Sequence, residues 1–165
     1  MSEIVKLHNK AQAQPGRYLC FSLGKDKFAI PLLQVKEVIA DVDTTNIPQA
    51  PAHFKGVMNL RGQVISIVDL RVKLKCGKPE KTTETTIIIL DLDPLLLGVV
   101  VDSVDSVVEY EATDISATPE TDTTVKIDYI MGVAKTNNML TLLLDLRKAL
   151  NADDYKAIKS QLKAA

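Results

Sequence analysis

The feature that most constrains this sequence is that it carries one pattern twice. Moved by 76 positions, residues 56–71 lie without a gap on residues 132–147, and Gly56/Gly132, Val57/Val133, Asp69/Asp145, Leu70/Leu146 and Arg71/Arg147 are identical. Average residue usage would give about one such match over that length. A shift of 69 orders the preceding stretch in the same way. It sets Phe21 on Leu90, Leu23 on Leu92, Ile30 on Val99, Val35 on Val104 and Val38 on Val107. The seven-residue difference between the shifts falls in the loop before each glycine. Such a chain is expected to fold as two similar units following one another, about 17–82 and 83–150.

The repeated pattern has strand character. Tyr18–Leu19–Cys20–Phe21–Ser22–Leu23 and Phe28–Ala29–Ile30 flank a short Gly/Asp turn and read as a hairpin. Val57–Met58–Asn59–Leu60 and Val64–Ile65–Ser66–Ile67–Val68 flank Arg61–Gly62 likewise. Residues 87–92, 95–101 and 104–110 are further strands. Residues 32–39 fit either a short helical turn or a bent strand. Residues 41–51 are turn-rich and residues 75–86 form a polar connector. Asp69 is placed to cap a helical turn. Residues 1–16 contain few apolar side chains and read as a mobile tail. One longer helix is expected over residues 151–165: Asn151 can cap it, Asp153 and Asp154 sit in its first turn, and Tyr155, Ile158 and Leu162 form its apolar stripe. Short strands between turn signals point to small barrels or sandwiches, hence an all-β, two-lobed body.

Several classes of chemistry find no support. The net charge is −1 with both signs interspersed, which argues against binding nucleic acid or an anionic membrane. Aromatic residues make up 4% of the chain, with no Trp, leaving little for a base-stacking platform. The longest apolar run, residues 95–101, is far short of the roughly 20 residues a membrane helix needs. No apolar N-terminal core suggests export, so a soluble cytoplasmic protein is expected. His8 and His53 are not spaced as metal ligands, and Cys20 and Cys76 form no CxxC. No nucleophile-and-base pair or phosphate loop is present, and the paired acids Asp41/Asp43 and Asp91/Asp93 read as solvated loop residues. No enzyme and no cofactor is expected; the residues argue for binding.

The sixteen residues from Gly56 through Val57–Met58–Asn59–Leu60–Arg61–Gly62 to Val64–Ile65–Ser66–Ile67–Val68–Asp69–Leu70–Arg71 closely resemble the signature of the CheW family, a GV-x-NLRG turn followed by a VI-x-IVDLR strand. Val35–Lys36–Glu37–Val38 resembles the family's V-x-E-[IV] segment, and Gly98–Val99–Val100–Val101–Asp102–Ser103–Val104 its G-x-VVD-x-V segment. The resemblance spans about residues 17–150. It implies two side-by-side five-stranded SH3-like β-barrels around a shared core, followed here by the C-terminal helix. It also implies a non-catalytic adaptor that links the cytoplasmic tip of chemoreceptors to the regulatory domain of the histidine kinase CheA within membrane arrays, with other CheW copies as further partners. The same role in a parallel system controlling surface motility is an alternative, and a small-molecule-binding barrel a second one.

Carried over position by position, the resemblance puts Val35, Glu37, Val38, Ile87, Gly98, Val99, Val104 and Val107 at or near an apolar groove between the barrels. There a receptor helix would dock. Arg61 is the matching signalling arginine, with Glu37 as its expected partner across the tight turn. Kinase contacts are expected at the barrel ends, in loops 41–51 and 111–124, where Ile47 and Ile115 stand out as apolar residues among polar ones. The second loop is rich in Thr and Asp and lacks a bulky or basic anchor.

Overall fold

The computed structural model describes residues 13–117 and 128–164. The chain runs through β1 (Gly16–Leu23), β2 (Asp26–Pro31), a 3-10 turn (Leu32–Gln34), β3 (Val35–Ala40), β4 (Phe54–Leu60), β5 (Gln63–Asp69) and the helical turn α1 (Leu70–Lys73). It continues through β6 (Thr86–Asp91), β7 (Leu96–Val101), β8 (Ser103–Tyr110), a 3-10 turn (Ala112–Asp114), β9 (Ile115–Ser116), β10 (Ile130–Thr136) and β11 (Met139–Leu144). The turn α2 (Leu146–Ala149) and the helix α3 (Ala152–Ala164) follow. Residues 32–39, open between two readings, take both: a helical turn, then a strand.

Two sheets form, with orders β8-β1-β2-β11-β10-β9 and β3-β6-β7-β5-β4. The all-β fold of two five-stranded barrel units with a C-terminal helix is therefore present, the two-residue β9 being the sixth strand of one sheet. The repeat extends to the register. Val35 pairs with Leu90 and Val38 with Ile88, as Val104 pairs with Phe21 and Val107 with Leu19. Bulges recur between Phe54 and Gly56 and between Ile130 and Gly132. Asp69 and Asp145 each cap the following helical turn, accepting from Arg71 N–H and Arg147 N–H.

The boundaries 17–82 and 83–150 mark the repeat but not the sheets. The hairpin β1–β2 sits in the sheet with β8–β11, and β6–β7 sits in the sheet with β3–β5. Each half lends its first hairpin to the other. Four pairings cross the halves: the antiparallel pairs β3–β6 and β1–β8 and the parallel pairs β5–β7 and β2–β11.

This exchange explains the unbroken apolar runs. One core lies between the sheets and takes Leu19, Phe21, Leu23, Ile30, Ile88, Leu90, Leu97, Val99 and Val101. A second fills the six-stranded unit with Tyr18, Cys20, Ala29, Tyr110 and Leu143, and a third fills the five-stranded unit with Ile65, Ile67, Ile87, Ile89 and Val100. Strands β1, β2, β6 and β7 thus bury both faces, so apolar residues need not alternate with polar ones. Of the expected tail, residues 1–12 lie outside the described residues. Residues 13–16 are pinned instead: Ala13 is buried in the second core and donates to the Met131 carbonyl at 3.3 Å, and Tyr18 Oη donates to the Gln14 carbonyl at 2.6 Å.

Candidate protein-docking surface

The turn between β4 and β5 consists of Arg61 (φ 51°) and Gly62 (φ 88°), and the Gly62 N–H donates to Asn59 Oδ1 at 2.8 Å. Two left-handed residues give a hairpin turn whose twist matches its strands, and such positions favour Asn and Gly. The repeated hairpin follows that preference with Asn137 (φ 48°) and Asn138 (φ 63°). Arginine at the first position therefore opposes local preference by about 1–2 kcal/mol. What it gains is an ion pair: Arg61 Nη1 donates to Glu37 Oε2 at 2.6 Å. Glu37 lies on β3 and Arg61 at the end of β4, the two opposite edges of the five-stranded sheet, so the pair spans its seam. The expected partner is thus the observed one. With the Arg61 side chain 74% exposed, such a pair adds at most about 1 kcal/mol to stability. The exposed ion pair thus offsets little of the backbone cost of placing arginine here.

Beside this pair lies an apolar strip built from the repeat. Val35 and Val38 are three residues apart, yet a bulge between Val35 and Glu37 turns both the same way, opposite Leu90 and Ile88 of the shared core. Val104 and Val107 stand likewise opposite Phe21 and Leu19. Val35 and Val104 rest on the shared core, while Val38 and Val107 are 42% and 50% exposed. Two equivalent valine pairs, one on each of two edge strands, thereby carry the apolar surface of the shared core out toward solvent.

Three of the residues expected at or near a groove are buried beneath the surface. Ile87 is buried in the core of the five-stranded unit and Val99 in the shared core. Gly98 is buried where a Cβ would come within 2.4 Å of Ile67 Cδ1. All three lie on inner strands covered on both sides, where core and groove valines look alike in sequence. Ile47 is half-buried in its turn-rich segment. Ile115 is not a loop residue; it pairs with Ala134 in β9 and packs on the second core. The part of that loop in residues 118–124 lies outside the described residues.

The sequence reading passed over Leu33, which is 99% exposed on the 3-10 turn. It lines a cleft of about 440 Å³ with Pro15, Leu32 and Met131. The signal was present in the repeat, which places Asp102 at the equivalent position. The hairpin residues Met139 and Leu140, 53% and 60% exposed, were passed over as well.

A second polar cluster anchors α3. The Asp154 carboxylate is fully buried, accepting from His53 Nε2 at 2.5 Å, Lys73 Nζ at 2.7 Å and the Asn151 N–H at 3.0 Å. Asn151 Oδ1 accepts from the Asp154 N–H in return, completing a reciprocal cap. Burial alone would raise the Asp154 pKa, but these hydrogen bonds outweigh it and hold the carboxyl below its ordinary value. The two free thiols behave oppositely to activated nucleophiles: burial raises both Cys20 and Cys76. Tyr110, 3.5 Å from Cys20 Sγ, is pushed up to about 12, chiefly by burial.

Comparison with known proteins agrees with this geometry. Residues 17–154 match the family model of the CheW-like domain. The chain is 29% identical to the chemotaxis protein CheW of Klebsiella aerogenes, over 99% of this chain and 98% of that protein. It is 31% identical to the chemotaxis protein CheW of Bacillus subtilis, over 86% and 90%, and 27% identical to protein FrzA of Myxococcus xanthus, over 90% and 94%. Among solved structures, the scaffolding protein TtCheW of Thermoanaerobacter tengcongensis superimposes with a TM-score of 0.77 at 29% identity, covering 86% of this chain and 96% of that one.

Proposed function

The chain belongs to the CheW-like family of chemotaxis adaptors, and from that premise we propose that it couples the cytoplasmic tip of chemoreceptors to the regulatory domain of the kinase CheA without catalysing a reaction itself. The observation that supports the receptor half is the placing of Val35, Val38, Val104 and Val107 on edge strands opposite the shared core, with Glu37 of the Arg61–Glu37 pair also on β3; we read the valines as lining one groove. An amphipathic receptor helix would lay its apolar face on the valines and meet a fixed charge pair at the rim. On the kinase side, Leu33, Ile47 and Ile115 are the apolar contacts we favour. Among the described residues no helix is long and apolar enough to cross a membrane. The adaptor would be cytoplasmic and reach the membrane through its receptors.

Reconstitution tests this reading. Receptor-containing membranes and CheA are assembled with and without the protein, and kinase autophosphorylation is followed as attractant is added. The protein should make kinase activity depend on receptor state, and Val38→Asp with Val107→Asp should abolish that dependence. Unchanged coupling by the double variant would refute the groove. The similarity to protein FrzA, which is not named for chemotaxis, supports a second reading in which the same adaptor serves a parallel chemosensory pathway.

A further inference from the structure

The helix α3 follows the second repeat in sequence but is fastened to the first. Asp154 bonds to Lys73 at the end of α1 and to His53 just before β4, both in the first half. One residue on, Tyr155 Oη donates to the Arg147 carbonyl of α2 in the second half at 2.7 Å. Ile158 completes the contact inside the shared core, the core on which Val35 and Val104 also rest. The repeat offers no second copy of this fastening. The positions equivalent to His53 and Lys73 are Tyr129 and Ala149, which together offer no ammonium to neutralise a buried carboxylate. The interaction is therefore particular to one side of a duplicated fold, and it ties the equivalent helical turns α1 and α2 together.

We propose that Asp154 is a positioning residue for the receptor groove: by locking α3 across the two halves it fixes the seat of Ile158, and through the shared core the spacing of the valines on β3 and β8. The physical link is close packing. A side chain that shifts in a filled core displaces its neighbours, and the edge strands are the least constrained part of each sheet. The proposal rests on the receptor reading of the groove, so its test has an arm independent of any partner.

The full-length protein and its Asp154→Asn, Lys73→Met and Asp154→Asn/Lys73→Met variants are compared in three measurements. These are affinity for a chemoreceptor cytoplasmic signalling fragment, affinity for the CheA regulatory domain, and amide hydrogen exchange of the free protein. Asp154→Asn strands the Lys73 ammonium, and should weaken receptor binding about three- to tenfold with kinase-domain binding unchanged. The double variant, which removes both charges, should recover part of the loss. Exchange in the free protein should rise at Val35, Val38, Val104 and Val107 as well as in α3. Equal losses toward both partners, or faster exchange confined to α3, would overturn the proposal. Should the wild-type protein fail to bind the receptor fragment, the receptor reading falls, and the exchange pattern alone decides whether α3 sets the spacing of β3 and β8.

Discussion

Arg61 is the residue at which folding and the proposed function are expected to separate. Its backbone would prefer Asn, as the repeated hairpin shows at Asn137, and its ion pair with Glu37 is too exposed to contribute much stability. Arg61→Asn is therefore expected to unfold at the same denaturant concentration as wild type or a higher one, by up to about 1 kcal/mol. It should nevertheless lose receptor-dependent kinase control. A variant that unfolds early would instead assign Arg61 to the architecture. The Arg61–Glu37 partnership was legible because the family resemblance singled out both residues and their opposite charges made them natural partners. The burial of Ile87, Gly98 and Val99 was not legible. Valine and isoleucine serve a core and a groove equally well, and only a strand's place at the edge or centre of its sheet distinguishes them.

At the scale of elements, the strands, their turns and the capped C-terminal helix could be read from local signals, since periodicity, turn residues and caps act within a few positions. Which strand pairs with which could not, because β3 chooses β6 across the halves for reasons of packing that no short window contains. The fastening of α3 was half legible. Asn151 stood at the cap and Asp154 in the first turn, but Lys73 and His53 are distant in sequence. That fastening carries a pH signature. Asp154 is held below its ordinary pKa in the folded protein, so its contribution is fully present above the unfolded value of about 3.9 and is lost as pH falls through the folded value. Acidification below about pH 4 should release α3, seen as loss of amide protection in residues 152–159. Asp154→Asn should remove that part of the acid transition; persistence of the transition in the variant would show that other carboxylates govern it.

For the whole molecule, duplication is joined to exchange. Two copies of one strand pattern do not make two independent domains here, because each sheet is incomplete without the other half's first hairpin. Fragments 1–82 and 83–165 are expected to remain largely unfolded when separate and to recover native circular dichroism when mixed; a cooperatively folded single fragment would contradict the exchanged topology. The same exchange underlies the proposed receptor surface. It sets β3 and β8, edge strands of different sheets, against one common core, so that two equivalent valine pairs stand opposite residues of that core. The most direct test of that claim is an NMR titration of the labelled full-length protein with a chemoreceptor cytoplasmic signalling fragment. Perturbations should centre on Val35, Val38, Arg61, Val104 and Val107. Perturbations gathered at Leu33 and Ile47 with the valines unmoved, or none with fragments from several receptors, would contradict it.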